Sequence, residues 1–189
     1  VIVKGVSSPA IARLALQNGV NGMVFSNYGG LLGGASTSIL DLAPVVDAVS
    51  GKVPVLADGA LRGGTDVLKA LALGASAVQI GTAYLLCPET LISAVHRAAL
   101  KSEAARNTAL TNVFTGRPAR GIVNRLMREI GPINPNAPAF PLAATAIFAL
   151  RSKAEPKGGN DFTWMWAGQS AALCREMPAA ELTRLLARK

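Results

Sequence analysis

Three glycine-rich stretches stand where alternating strands and helices would turn: Asn27 to Gly34, Asp58 to Gly64, and Gly81-Thr82. Glycine lets main-chain N–H groups approach an anion closely, and the start of the next helix favours negative charge. In proteins built from such units, ligands sit at the carboxyl ends of the strands. Any strand-to-helix turn favours glycine, so one stretch says little; three together point to a phosphate-bearing cofactor. Arg62 lies in the second stretch, where it would pair bidentately with a phosphate or stand in solvent. Lys4 ends a short apolar run, where it would set a cation against an electron-rich ring or be a solvated lysine.

Other residue types carry weaker signals. His96, the one histidine, falls mid-helix in Ala94-Val95-His96-Arg97, a setting more often structural than catalytic. One histidine and two cysteines, Cys87 and Cys174, argue against a zinc site, and no metal is expected. The cysteines are far apart in sequence, and a reducing cytoplasm is the expected location. Arg117 and Arg120 flank Pro118 and would grip a carboxylate or phosphate, or serve structurally. Trp164 and Trp166 read as packing anchors.

The elements that would position these groups alternate through residues 1–87. Val1 to Val3 reads as a strand, and Ser8-Pro9 opens a helix that Gly19 ends. Gly22 to Ser26 reads as a second strand and Leu40 to Val49 as a helix with Leu42, Val45, Val46 and Val49 on one face. Val53 to Ala57, helix Thr65 to Leu73, strand Ala77 to Ile80 and helix Pro88 to Glu103 follow. Such alternation is the mark of βα units on a parallel sheet. Four units fit half of an eight-fold barrel or a small open sheet; a barrel would need a partner half or a second copy, so a homodimer is an expected partner. From Asn107 the strand signal stops. Residues 107–119 read as loop, Arg120 to Ile130 as a short helix, and Leu142 to Lys153, Phe162 to Glu176 and Pro178 to Arg188 as helices. The expected division is 1–106 for the βα units and 107–189 for a helical C-terminal extension packing on them.

Composition narrows the classes. Half of the 189 residues are hydrophobic and 16% are charged, which excludes disorder as the main state. No run of about 18 uncharged apolar residues occurs, and no secretory signal is visible, so no membrane partner is expected. The first residue is Val, which fits a fragment or a trimmed chain. The net charge of +8 is concentrated after residue 100, without dense basic runs or interleaved aromatics, so solvated helix faces are expected rather than nucleic-acid binding.

Longer words of the sequence resemble known families. Ala75-Ser76-Ala77-Val78-Gln79-Ile80-Gly81-Thr82-Ala83-Tyr84-Leu85-Leu86-Cys87-Pro88-Glu89 resembles the last barrel strand of the nitronate monooxygenases. Thr111 to Gly121, Asn124-Arg125, Trp166-Ala167-Gly168-Gln169 and Met177 to Leu182 resemble that family's C-terminal extension, so the likeness covers residues 69–189. Residues 1–75 resemble the FMN-dependent α-hydroxy-acid oxidases in Val3-Lys4-Gly5-Val6, Ser26-Asn27-Tyr28-Gly29-Gly30, Asp58-Gly59-Ala60-Leu61-Arg62 and Gly64 to Ala75.

Both resemblances imply an FMN-binding (β/α)8 barrel, here as its C-terminal half. They imply that Lys4 and Ser26 face the flavin ring, that Asp58, Gly59 and Arg62 hold the phosphate side, and that Gly81 and Thr82 complete the phosphate cradle. The oxidase pattern has Gly where Ala60 stands, Arg where Thr82 stands, and a substrate-binding Arg where Leu31 stands. The family histidine is absent: Tyr28 stands at its place in the oxidase pattern and Ala35 in the monooxygenase pattern. Tyrosine, with a pKa of about 10, is a poor general base. The implied activity is oxidation of an alkyl nitronate by dioxygen, since a nitronate is already deprotonated. The alternatives are an α-hydroxy-acid oxidase and a non-catalytic flavin- or phosphate-binding half-barrel.

Overall fold

The computed structural model describes residues 1–26, 39–59, 61 and 64–187. Its contacts divide the chain into 1–80 and 81–189.

The first unit runs β1 (Ile2–Val6), α1 (Pro9–Gln17), β2 (Gly22–Ser26), α2 (Leu42–Val49), β3 (Val55–Asp58), α3 (Gly64–Ala72) and β4 (Ala77–Val78). The strands form one parallel sheet in the order β1-β2-β3-β4, as successive βα units dictate. Ser8 caps α1 by accepting a hydrogen bond from the Ile11 amide, and Pro9 occupies the first turn, where its missing N–H costs nothing. Side chains alternate across a strand. Met23 and Phe25 of β2 and Val55 and Ala57 of β3 therefore share one face, packed against Ala12, Leu42, Val45, Val49 and Ala70 of the helices. The same alternation sends Lys4, Ser26, Asp58 and Gln79 to the other face.

Three boundaries differ from those expected. β1 runs on to Val6, so Lys4 lies inside the strand, and the ladder slips between Lys4 and Val6. Gly5 sits in that slip at φ 96°, which a side chain would resist. β3 begins after Pro54, which has no N–H to give the ladder, although its carbonyl accepts from the Met23 amide at 3.0 Å. β4 is two residues long, and one further ladder bond follows it, from the Gln79 amide to the Ala57 carbonyl at 2.8 Å.

The second unit starts at Gly81, so residues 81–106 pack with it rather than with the βα units as expected. The reason is its core: Leu86, Ala99, Leu100 and Ala105 bury against Ile122, Met165, Ala167 and Ala171. Its helices are α4 (Ala94–Leu100), α5 (Arg125–Ile130), α6 (Leu142–Ala154) and α7 (Ala179–Ala187). The stretch read as one helix over 88–103 shortens to α4 because Ser93 caps it, accepting from the His96 amide. Residues 107–119 are not simply loop. β5 (Thr108–Thr111) and β6 (Ala119–Ile122) form an antiparallel pair, so β6 takes residues expected in a helix, and Asn124 caps α5 after it. The expected helix over 162–176 is extended at Thr163 to Ala167. Thr163, Met165 and Ala167 are buried and Trp164 and Trp166 less so, a strand period of two. The Ile122 amide donates to Met165 O at 2.8 Å and the Ala167 amide to Arg120 O at 3.1 Å. Among the described residues, no helix is long and apolar enough to cross a membrane.

Gly116 joins β5 to β6 at φ 82°, where an added Cβ would collide with the backbone of Pro138 to Phe140. Gly116→Ala is expected to destabilise the second unit by more than about 2 kcal/mol, read as a lower urea midpoint; an unchanged midpoint contradicts this packing.

Candidate functional site

The first unit's polar face gathers Lys4 from within β1, Ser26 and Asp58 from the carboxyl ends of β2 and β3, and Gln79 from just beyond β4. The Lys4 ammonium lies 2.6 Å from Asp58 Oδ2 and donates to Gln79 Oε1 at 3.3 Å. The buried Ser26 hydroxyl donates to Asp58 Oδ2 at 3.0 Å. Register explains the Ser26–Asp58 contact, because the two are direct partners across β2 and β3. The slip at Gly5 helps explain Lys4, since it alters the path of β1 where the side chain leaves it.

The contacts run across the sheet: Lys4 meets Asp58 two strands away and Gln79 just beyond the fourth strand. The cluster therefore lies on one polar face of the sheet.

The structure brings together Lys4, Ser26 and Asp58 of the expected residues. It gives Asp58 a different part from the one implied. A carboxylate repels a phosphate, and this one is engaged with an ammonium and a hydroxyl, so Asp58 holds Lys4 and Ser26. Gly59 follows at φ 76°, turning the chain out of β3. Tyr28 and Arg62, with Leu31, Ala35 and Ala60, lie outside the described residues. Gly81 and Thr82 belong to the second unit, where the Thr82 hydroxyl accepts from the Gly168 amide at 2.8 Å. Gln79 escaped the sequence reading as a member of the cluster; its position one residue beyond β4, on the face of Lys4, was the available signal.

The remaining candidates make contacts within the second unit. Arg117 stacks over Phe140 at 4.4 Å, and Arg120 donates to Thr108 O at 3.1 Å. Trp166 packs edge-on against Phe114, and Arg151 covers Trp164. Cys87 and Cys174 are free thiols, and burial, with Cys87 nearby, pushes Cys174 up to about 11. No cluster of three or more potential metal ligands occurs among the described residues.

The nitronate monooxygenase family model matches residues 1–188. The chain belongs to the nitronate monooxygenase family. A nitronate monooxygenase of Pseudomonas aeruginosa is 41% identical over 186 residues, covering 98% of this chain and 52% of the relative. A nitroalkane oxidase structure from Streptomyces ansochromogenes is similar with TM-score 0.79 and 33% identity, covering 98% of this chain and 56% of that one. A mandelate oxidase structure matches 42% of this chain and 24% of its own at 46% identity and TM-score 0.38. The chain spans about half the length of the curated nitronate monooxygenases it matches.

In this member of the family, His96 is buried on the face of α4 that also carries Ala99 and Leu100, and its Nε2 meets no hydrogen-bond partner among the described residues. Burial lowers its pKa below 6.5, and the Trp166 backbone pulls weakly the other way. The unfolded chain therefore takes up a proton near 6.5 that the folded chain refuses. His96 leaves stability intact above that pH and erodes it as pH falls from there toward the lower folded-state value. The urea midpoint is expected to fall between about pH 7.5 and about pH 5.5, and less steeply in His96→Leu; equal slopes would assign the acid sensitivity elsewhere.

Proposed function

We propose that the chain is the C-terminal half of an FMN-binding (β/α)8 barrel and that its activity is the oxidation of alkyl nitronates by dioxygen. The observation that carries this reading is the Lys4 cation, held with Ser26 and Asp58 on the polar face of a sequentially ordered parallel sheet. A parallel sheet of this order is what half of such a barrel requires, and the carboxyl ends of its strands are where the fold places ligands.

The residues present suit a flavin. A cation with several N–H donors stands on this face, as an electron-rich ring with carbonyl acceptors demands. α3 begins at Gly64, and the start of a helix favours an anion. Lys4, Ser26 and Gly59 are the described residues of the first unit that would hold the group, with Arg62 added by resemblance. That resemblance assigns Gly81 and Thr82 to the phosphate as well. Bound there, a flavin would supply the electron-accepting ring.

The chain's own residues would do the positioning. Asp58 fixes the Lys4 ammonium and the Ser26 hydroxyl, so both are pre-oriented before a ligand arrives. Lys4 brings positive charge that attracts an anionic nitronate. A nitronate has already lost its α-proton, so the missing family histidine costs this reaction less than it would cost the oxidation of a hydroxy acid, which needs a base.

The test is spectroscopic. The purified chain is expected to take up FMN near one per chain, with flavin bands in the visible and oxygen uptake on adding a nitronate. Lys4→Met is expected to weaken FMN binding about tenfold, roughly 1.4 kcal/mol. A folded chain that FMN cannot titrate would remove the flavin reading. FMN uptake without nitronate-dependent oxygen consumption would leave a binding half-barrel.

A further inference from the structure

Two short 3-10 helices of the second unit, Thr82–Leu86 and Ala171–Leu173, each end on a cysteine. Cys87 closes the first by donating its amide to Tyr84 O at 3.1 Å, and Cys174 closes the second in the same way, to Ala171 O at 3.1 Å. The two helices pack on each other. Leu86 and Ala171 bury in one core, and Cys174 lies against it. The two stretches are also tied at both ends. At their start, the Thr82 hydroxyl accepts from the Gly168 amide at 2.8 Å. At the cysteine end, Arg97 donates to the carbonyls of Leu86 and Cys87, at 3.0 and 3.1 Å, and stands 4.0 Å from the Glu176 carboxylate. They therefore run side by side in one direction, and each reaches its cysteine at the same end, five residues after Thr82 and six after Gly168.

The thiols differ in access. Cys87 is buried, whereas Cys174 is half-buried and lines, with Leu86, a cavity of about 380 Å³. Burial pushes the Cys87 thiol up, Glu89 adds to it and Arg97 opposes it; burial and the neighbouring Cys87 push up Cys174. Both thiols stay protonated near neutral pH, so they oxidise slowly and rest in the reduced state.

We propose that Cys87 and Cys174 are a redox pair that a peroxide closes into a disulfide. The peroxide reaches Cys174 through the cavity. The Cys174 thiolate attacks one peroxide oxygen, the O–O bond breaks, and the departing hydroxide takes the thiol's proton to become water, leaving a sulfenic acid. The Cys87 sulfur then attacks the Cys174 sulfur, the S–O bond breaks, and a second water leaves with the Cys87 proton. In sum, the two thiols lose two electrons and two protons, and one peroxide becomes two waters. The pair owes nothing to the flavin reading of the first unit.

The experiment treats the full, reduced chain with excess hydrogen peroxide, counts the remaining thiols and maps unreduced peptides by mass. Both thiols are expected to disappear, with a mass lower by two hydrogens and a peptide joining Cys87 to Cys174 within one chain. The urea midpoint is expected to rise and to return to the parent's value in dithiothreitol, because the bond restricts the unfolded chain. Cys87→Ala is expected to stop at oxygen adducts on Cys174, and Cys174→Ala to show no rise in midpoint; should either variant fold poorly, the parent's peptide map decides. Two free thiols after prolonged exposure overturn the proposal. So do oxygen adducts on Cys174 of the parent with Cys87 unjoined, a bond formed only between two chains, or a bond formed equally well in urea.

Discussion

The ion pair between Lys4 and Asp58 ties the first strand of the parallel sheet to the third, and the candidate site depends on that tie. The charges themselves are modest in effect, since an ion pair open to solvent contributes little to stability. Their value is geometric. A lysine and an aspartate on strands two apart meet across the strand between them, so the pair marks the polar side. The hydrophobic face behind, with Met23, Phe25, Val55 and Ala57 packed under the helices, leaves no place for such groups. The slip at Gly5, the register of Ser26 on Asp58 and the ladder bond of Gln79 all set the same face in order.

The second unit is built by a different rule. Its core is closed by backbone bonds between β6 and the extended stretch around Met165 and by Arg97, which donates to the carbonyls of Leu86, Cys87 and Thr90. Arg97 gives the Leu86 and Thr90 carbonyls a donor and shares the Cys87 carbonyl with the Thr90 amide. The Thr82–Gly168 hydrogen bond joins two of the sequence words that resemble the nitronate monooxygenases, so the likeness in sequence corresponds to a contact in space.

Much of the first unit was legible from sequence because its signals are local. Ser8-Pro9 announces a helix start by a missing N–H and a side-chain acceptor, and strand runs ending in glycine announce where ligands gather. Lys4 was singled out by its place after a strand, and Ser26 and Asp58 by resemblance; their mutual contact is a matter of register. The second unit was read less well. The alternation from Thr163 to Ala167 spans only five residues and carries two tryptophans, which fit a helix face as readily as a strand. β5 and β6 are four residues each, too short for a period to declare itself, and they are stabilised by contacts remote in sequence. Gln79 was missed because a polar residue just beyond a strand has no signature until its partner across the sheet is known.

The measurement that tests the central claim most directly is zero-length carbodiimide coupling of the free chain, followed by peptide mass mapping. An ammonium and a carboxylate in contact condense with loss of one water. The structure predicts an isopeptide bond between Lys4 and Asp58, formed in the native chain and lost in urea. Activation of Asp58 and separate labelling of Lys4, with no peptide joining them, would mean that the two do not meet and that the polar face is not arranged as described.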